Sequence, residues 1–320
     1  MPATTKLHVV GMLETKTGVA GATTTQFNGI PDLRMSTGMS EWAEQSGANV
    51  DPDFLALGEQ NPGLSGTMLE IKKFLDLITL DGLPIGDVGT TGNQVQAQWV
   101  RMKPFSVREL PAATKHFFAK SRKAGIYPQQ ITAARNRRAQ ITFQMQPVWD
   151  GTNDIVEFSS DVAGLTPGIV SELYALGPVN ISGVELPSLQ GWTYNVGVEL
   201  EVNFHGGQVW PDFVAIARRQ PVFECQCKDV PQITLVTLSG MAQGATDSEI
   251  YLRKVERNKK RIADATANHI KFQVNDGRIT VQDLGGPNAR SSDVNVRIYP
   301  AFDGTTAAVL VNTASTIVVP

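Results

Sequence analysis

The sequence lacks long apolar runs and has almost no cysteine. Its longest uninterrupted apolar stretches, such as residues 307–311, are far shorter than the ~20 residues that a membrane helix needs. The amino terminus has no basic region followed by an apolar core, so we expect no secretory signal. Cys225 and Cys227 are two residues apart on a predicted strand, and they therefore point to the same face and cannot easily bridge each other. Buried thiols explain this pair better than a redox or metal site, which would need a partner pair. We expect a chain made in a cytoplasm, with no membrane partner.

The chain also lacks a strong charge of one sign. It has 28 Lys and Arg residues against 31 Asp and Glu residues, for a net charge of -3. Neither half has the basic excess expected of a module that binds phosphates. The two basic runs, Arg135–Arg138 and Arg253–Arg261, are not interleaved with aromatic residues, as a binder of single-stranded nucleic acid would require. We interpret them as solvated faces or as contacts to acidic neighbours.

Sequence patterns for catalysis are missing as well. There is no phosphate-binding Gly-x-x-x-x-Gly-Lys-Ser/Thr loop and no Gly-x-Ser-x-Gly elbow. The four histidines show no metal-ligand spacing, and Asp150–Asp154 lacks the later acidic ligand of a calcium loop. The sequence predicts no enzyme activity, no catalytic residue, no cofactor and no metal.

What the sequence does contain is an internal repeat. The segment 47–62 returns at 206–221, with seven of sixteen positions identical and a constant spacing of 159 residues. Further matches follow in the same order at spacings of 152 to 158, including 147–152 with 300–305. A period this long indicates a duplicated domain and not a solenoid. We predict one domain at 1–165 and a second at 166–320, with a linker at about 160–172.

Apolar and polar residues alternate in both halves, which is typical of half-buried strands. Residues 139–147 and 192–204 are the clearest examples, and Asp150-Gly151 predicts a hairpin turn after the first of them. Residues 68–80 indicate a strand that runs into a short helix, whereas residues 111–123 predict an amphipathic helix that begins at a proline. Each half is therefore predicted to be mainly β, a β-sandwich or partial barrel with one or two short helices.

The second half resembles a phage major tail protein, the tail tube subunit of long-tailed phages. Six segments carry the resemblance. They are residues 176–186, the predicted alternating strand 192–204, residues 206–211, the segment with large side chains that continues from there to 219–221, residues 223–229 and residues 250–253. Through the repeat, the resemblance extends in a weaker form to 27–160. The doubling departs from most members of the family, which carry one tube domain per chain. Together with the repeat, the resemblance implies a fold of two tandem copies of a tail-tube-like domain.

The resemblance implies a structural virion protein, made in the bacterial host cytoplasm and located in the tail. With six domains per ring, two per chain imply homotrimeric rings with pseudo-sixfold symmetry, which stack into a tube that conducts the genome during ejection. The implied partners are other tail proteins at the ends of the tube, namely the tape measure, terminator and baseplate proteins. DNA is expected to pass without sequence-specific binding, through a bore with more carboxylates than lysines and arginines.

Two other functions fit the same sequence. Another tail ring component, in a baseplate or terminator, would share the fold. A carbohydrate-binding β-sandwich module would explain Trp149, Trp192 and Trp210 if they lay exposed on one platform. The repeat-equivalent positions that we expect to be structural are Pro52, Asp53, Phe54, Pro62, Arg101, His116, Asp150 and Gly151 in the first half, and Pro211, Asp212, Phe213, Pro221, Arg253, His269, Asp303 and Gly304 in the second.

Overall fold

The computed structural model of the chain is mainly β, as the alternating patterns predict. It describes residues 8–17, 23–44, 51, 54–85, 94–101, 114–166, 168–170, 172–181, 183–228, 243–244, 248–256, 260–285 and 293–318. None of the sheets in these ranges closes into a barrel. Nor do the same ranges contain a helix that is long and apolar enough to cross a membrane.

The described residues of the first half form twelve strands and one helix. They are β1 (His8–Thr17), β2 (Thr23–Phe27), β3 (Asp32–Ser36), β4 (Met39–Glu44), β5 (Phe54–Gln60), β6 (Gly63–Met68), α1 (Ile71–Ile78), β7 (Leu83–Ile85), β8 (Gln94–Arg101), β9 (Thr114–Ser121), β10 (Ala124–Ala134), β11 (Gln140–Pro147) and β12 (Glu157–Ala163).

The described part of the second half contains twelve strands and no helix. They are β13 (Leu173–Ile181), β14 (Val184–Glu185), β15 (Leu189–Asn195), β16 (Val198–Asn203), β17 (Phe213–Arg219), β18 (Val222–Lys228), β19 (Gln243–Gly244), β20 (Ser248–Val255), β21 (His269–Val274), β22 (Gly277–Gly285), β23 (Asp293–Pro300) and β24 (Leu310–Ser315). The expected linker falls between β12 and β13.

The strand pairings of the two halves correspond one to one. In the first half β1 pairs with β2 and β8, β9 with β8 and β12, β6 with β3 and β11, β10 with β7 and β11, and β4 with β5. In the second half β13 pairs with β14 and β20, β21 with β20 and β24, β18 with β15 and β23, β22 with β19 and β23, and β16 with β17. The order along the chain is the same in both halves.

A ten-stranded sheet runs through both halves. Its strand order is β19-β22-β23-β18-β15-β10-β11-β6-β3, and β7 pairs with β10 beside this path. A five-stranded sheet of the first half, β12-β9-β8-β1-β2, and one of the second half, β14-β13-β20-β21-β24, complete the layers. Two separate hairpins, β4–β5 and β16–β17, extend from the long sheet.

One hydrophobic core cluster spans both halves, because one face of the long sheet packs against the two smaller sheets. In the second half the ring of Tyr194 stacks on that of Phe223 with 4.1 Å between centroids, and Phe272 of the smaller sheet packs against Trp192 at 5.8 Å. In the first half Phe74 of α1 lies 5.8 Å from Phe143 of the long sheet. The residues of α1 that face this core are Ile71, Phe74, Leu75 and Ile78.

The structure corrects three local predictions. The helix predicted for 111–123 is wrong, because residues 114–121 form β9, and pairing with β8 and β12 outweighs the local helix signals. The hairpin predicted at Asp150-Gly151 is wrong as well, because β11 and β12 belong to different sheets. The predicted strand 192–204 breaks at Gly197, whose φ of 66° separates β15 from β16.

Candidate assembly interface

The two halves meet where β10 pairs with β15 in antiparallel register, and we call this pairing the joint. Five residue pairs form it, from Gln130 opposite Asn195 to Ala134 opposite Gly191. The side-chain amide of Gln130 donates to Asn195 Oδ1 across the joint at 2.6 Å. Backbone hydrogen bonds extend the joint at both ends, from Val196 N to Gln129 O at 2.9 Å and from Arg135 N to Gln190 O at 2.7 Å. The joint makes one sheet out of two halves.

The hairpin β16–β17 adds a second contact between the halves. The ring of Trp210, in the loop between these strands, packs against Trp149 of the first half with 6.0 Å between centroids. Its indole Nε1 donates to Gln60 Oε1 at 2.9 Å. The loop backbone also accepts two hydrogen bonds, from Trp149 N to Pro211 O at 2.7 Å and from Gln60 N to Val209 O at 2.8 Å. The hairpin of one half thus covers the surface of the other.

In the part of the chain that the structure describes, the long sheet ends at β3 on one side and, on the other, at β22 with the two-residue strand β19 beside it. We call β3 and β22 the edge strands. Among the described residues, β3 pairs with β6 alone. β22 pairs with β23 along its length, and on its other side with β19 at Arg278 and Ile279 only. The edge strands are the counterparts of the strands that form the joint, since β3 corresponds to β15 and β22 to β10. Indeed β10 already pairs with β7 at one end and with β15 at the other.

Apolar side chains are exposed beside the edge strands. Met35 of β3 is half-buried, whereas its counterpart Tyr194 in the joint is 2% exposed. Nearby, the rings of Trp99, Phe117 and Phe158 form a row with centroids 5.5 and 5.7 Å apart, and Phe158 is 52% exposed. Contiguous exposed apolar surface is typical of interaction sites, whereas single exposed apolar side chains are common on any protein.

Phe302 is a further exposed apolar side chain, in the second half of the chain. It follows β23 as Trp149 follows β11, at the 153-residue spacing of these strands. Trp149 is covered by the hairpin β16–β17, whereas Phe302 is 65% exposed. Trp149 thus packs against another side chain of the protein, whereas Phe302 at the corresponding position is exposed.

The face of the long sheet that does not contact the core is polar. Uncharged side chains such as Thr142, Gln144 and Thr193 lie along it, and Arg297 pairs with Glu224 at 2.7 Å. A shallow groove of about 570 Å³ crosses this face near the β10–β11 turn and has Arg137 and Arg138 in its wall. Neutral amides and hydroxyls dominate the middle of the sheet.

Some of the predicted repeat positions lie at the beginning of corresponding strands. Phe54 and Phe213 begin β5 and β17, and Pro62 and Pro221 directly precede β6 and β18. Pro211 is buried in the loop that covers Trp149, and Asp212 lies beside the exposed His205 at 2.6 Å. Pro52 and Asp53 lie outside the described residues.

The predicted polar positions are distributed over different sheets. Arg101 ends β8, and Arg253 of β20 donates two hydrogen bonds of 2.9 Å to the carboxylate of Asp264. His116 and His269 are both buried, the first in β9 and the second in β21. His269 Nδ1 accepts from Lys254 N at 3.0 Å, and its Nε2 lies 3.1 Å from Ala263 O. These bonds fix His269 in the structure.

The turns that begin at Asp150 and Asp303 have the same geometry. Each carboxylate accepts backbone hydrogen bonds from the second and third residues that follow, at 2.9 and 2.8 Å for Asp150 and at 2.7 and 2.6 Å for Asp303. The following glycines, Gly151 and Gly304, have φ of 89° and 94°. The hydrogen bonds of Thr306 hold the pKa of the Asp303 carboxyl below its usual value. Both aspartates stabilise a loop.

The two cysteines are buried, and Glu157 is paired with basic side chains. Cys225 and Cys227 lie on the core side of β18, and burial raises the pKa of the Cys227 thiol to about 11 and that of Cys225 further. A hydrogen bond from Arg122 holds the pKa of Glu157 below its usual value. Within the described ranges, no three His, Cys, Asp or Glu side chains are grouped as metal ligands.

Comparison with known proteins adds no assignment. The chain matches no protein-family model and no curated protein.

Proposed function

We propose that the two halves are tandem copies of one β-module and that the chain is a structural virion protein of a phage tail tube. The observation that carries the proposal is the repeated pairing map, in which one sheet crosses both halves and ends in two edge strands. A sheet edge with unmade hydrogen bonds is a liability for a protein unless a neighbour pairs with it. An assembling subunit is the class of protein that needs such edges.

The joint supports assembly into a ring. In the joint, β10 of the first half pairs with β15 of the second half, and β15 is the counterpart of β3. The contact therefore joins two different surfaces of the module. Contacts of this head-to-tail kind generate closed rings when the rotation between modules closes. The six domains per ring that the resemblance implies correspond to three chains, and stacked rings of three chains form the proposed tube.

The polar face of the long sheet is the surface that we assign to the bore. The opposite face packs on the smaller sheets, so this face is the one that a ring of continuous sheets leaves open. Among the charged residues in the strands of this face whose side chains the structure describes, two are acidic, Asp32 and Glu224, and four are basic, Arg34, Lys228, Arg278 and Arg297. Asp283 and Asp293 also lie in strands of this sheet, and the excess of carboxylates expected in the bore stays a prediction. We propose a bore in which uncharged amides and hydroxyls line the middle of the sheet, which lets DNA pass without sequence-specific binding.

The alternatives differ in how well they fit. Another ring component of the tail would share all of these features. The copy number in purified virions distinguishes the two, because a tube protein is abundant and such a component is not. A carbohydrate-binding module would need Trp149, Trp192 and Trp210 on one exposed platform. Trp192 is 2% exposed and lies in the core, so the structure offers no such platform.

Negative-stain electron microscopy of the purified chain tests the proposal. We expect rings or long tubes of uniform width, which become more frequent as the protein concentration rises. A chain that remains monomeric at high concentration, both in micrographs and by light scattering, would contradict the proposed function.

A further inference from the structure

We propose that β3 of one chain pairs with β22 of a second copy of this chain, in the register of the joint. This inference rests on the function proposed above and names the surface that closes the ring. The partner is a second copy because each edge strand is the counterpart of one strand of the joint, and the chain itself already contains the complementary pair. We call the new contact the seam.

The register on the β22 side follows from its pairing with β23. Residues 124–132 of β10 and 277–285 of β22 pair with their neighbours β11 and β23 at positions 153 residues apart. Both ladders shift register at the same place, between Pro128 and Gln130 in β10 and between Val281 and Asp283 in β22. Asp283 is therefore the counterpart of Gln130.

The register on the β3 side follows from β6 in the same way. Residues 32–36 of β3 pair with β6, and residues 191–195 of β15 pair with β18, at positions 159 residues apart. Ser36 is therefore the counterpart of Asn195. Transferring the joint to two chains places Ser36 opposite Asp283, Met35 opposite Leu284 and Arg34 opposite Gly285.

The side chains of β3 suit such a contact. Asp32, Arg34 and Ser36 are exposed on the polar face, while Met35 lies half-exposed on the core face. In the joint, the counterpart of Met35 is fully covered, so pairing would bury the apolar surface around Met35 and Trp99. The carbonyl of Leu33 already accepts a hydrogen bond from Trp99 Nε1 at 3.3 Å, and we therefore limit the seam to the three residue pairs after it.

Phe302 gives the seam a second contact. In the joint, the hairpin β16–β17 covers Trp149, and the corresponding hairpin of the first half is β4–β5. Across the seam, Phe302 would lie beside the β4–β5 hairpin of the neighbouring chain, in which Asp51 occupies the position of Trp210. The seam thus accounts for the exposed apolar surface at both ends of the molecule.

Cysteine cross-linking tests the register. The double variant Ser36→Cys with Asp283→Cys is oxidised at a concentration where rings form and is analysed on non-reducing gels. Directly opposed residues of antiparallel strands lie close enough for a disulfide. We expect linked chains up to a closed species of three, which disappears on reduction. The native thiols of Cys225 and Cys227 are buried, and the unmodified chain gives their background.

Two matched variants control the experiment. Gln130→Cys with Asn195→Cys occupies the same positions in the joint and should form a disulfide within one chain, seen as loss of thiols without a change in chain number. Arg34→Cys with Asp283→Cys is two residues out of register and should link chains at least tenfold more slowly. Equal rates for this pair and for the predicted pair would overturn the register.

Microscopy of the same samples separates this inference from the proposed function. Rings without linkage of Ser36→Cys to Asp283→Cys would overturn the seam and leave the function standing. If the chain forms neither rings nor linked species, both proposals fail.

Discussion

Two glycines set the bends at which the hairpins leave the long sheet. Gly38 lies between β3 and β4 with φ of 59°, and Gly197 lies between β15 and β16 with φ of 66°. Their carbonyls accept hydrogen bonds from Asn61 N at 2.9 Å and from Gln220 N at 3.0 Å, again 159 residues apart. A Cβ at either position would lie 1.8 or 2.2 Å from the carbonyl oxygen of the same partner. Only glycine fits this bend.

Gly197→Ala should therefore destabilise the protein. The left-handed backbone costs a residue with a Cβ about 1–2 kcal/mol, and the contact with the Gln220 backbone adds to this cost. Urea unfolding should show the loss as a lower midpoint. Gly63→Ala in β6 is the matched control, because no atom lies within 4 Å of its added Cβ. Equal stability of the two variants would contradict the argument.

Among the elements, the hairpin β16–β17 contacts the first half through the side chain of Trp210 as well as through the backbone of its loop. The ring of Trp210 contacts Trp149 and its Nε1 is bonded to Gln60. Because Trp210 is only half-buried, we expect Trp210→Ala to cost about 1–3 kcal/mol of unfolding free energy, less than a core tryptophan.

Phe302→Ala serves as the counterpart of this experiment. Phe302 is exposed in the single chain, so its replacement should change the monomer's unfolding free energy by less than about 0.5 kcal/mol. It should nevertheless raise the concentration at which rings appear, measured by sedimentation. A large loss of monomer stability with unchanged assembly would argue against a role of Phe302 between chains.

The sequence allowed the elements to be predicted where the periodicity is local. Residues 139–147 and 68–80 gave the correct strand and strand-to-helix pattern, because one side of each faces the core. The helix predicted for 111–123 was wrong because the strand formed by residues 114–121 depends on pairing with β8 and β12, which local periodicity does not report. The Asp150 turn was recognised, but a turn does not specify which strand the following segment joins.

The edge strands were not predicted for a related reason. The 159- and 153-residue spacings were visible in the sequence, and they would have been the signal for corresponding strands. Whether a strand is at an edge depends on its partners, however, and not on its own residues. In residues 34–51, the described part contains the end of β3 and all of β4, which pairs with β5 in a hairpin.

At the scale of the whole molecule, the assignment of the bore can be tested by labelling. Thr142→Cys lies on the polar face of the long sheet, and Ala314→Cys lies on the exposed side of β24 in a smaller sheet. In assembled tubes we expect a bulky polymer-linked maleimide to react with Ala314→Cys. Its reaction with Thr142→Cys should be at least tenfold slower.

Dissociated chains supply the control for this prediction, since both cysteines should then react at similar rates. If Thr142→Cys remains as reactive in tubes as in dissociated chains, the polar face does not line a closed channel.

The joint has a consequence for how such an assembly tolerates change. Because the chain connects its two halves covalently, the joint forms at a high effective concentration and does not depend on encounters between molecules. A ring of three chains would need only three such encounters. A substitution in β15 would then alter alternate contacts around the circle and spare the others, whereas six identical small subunits would suffer the same defect at every contact.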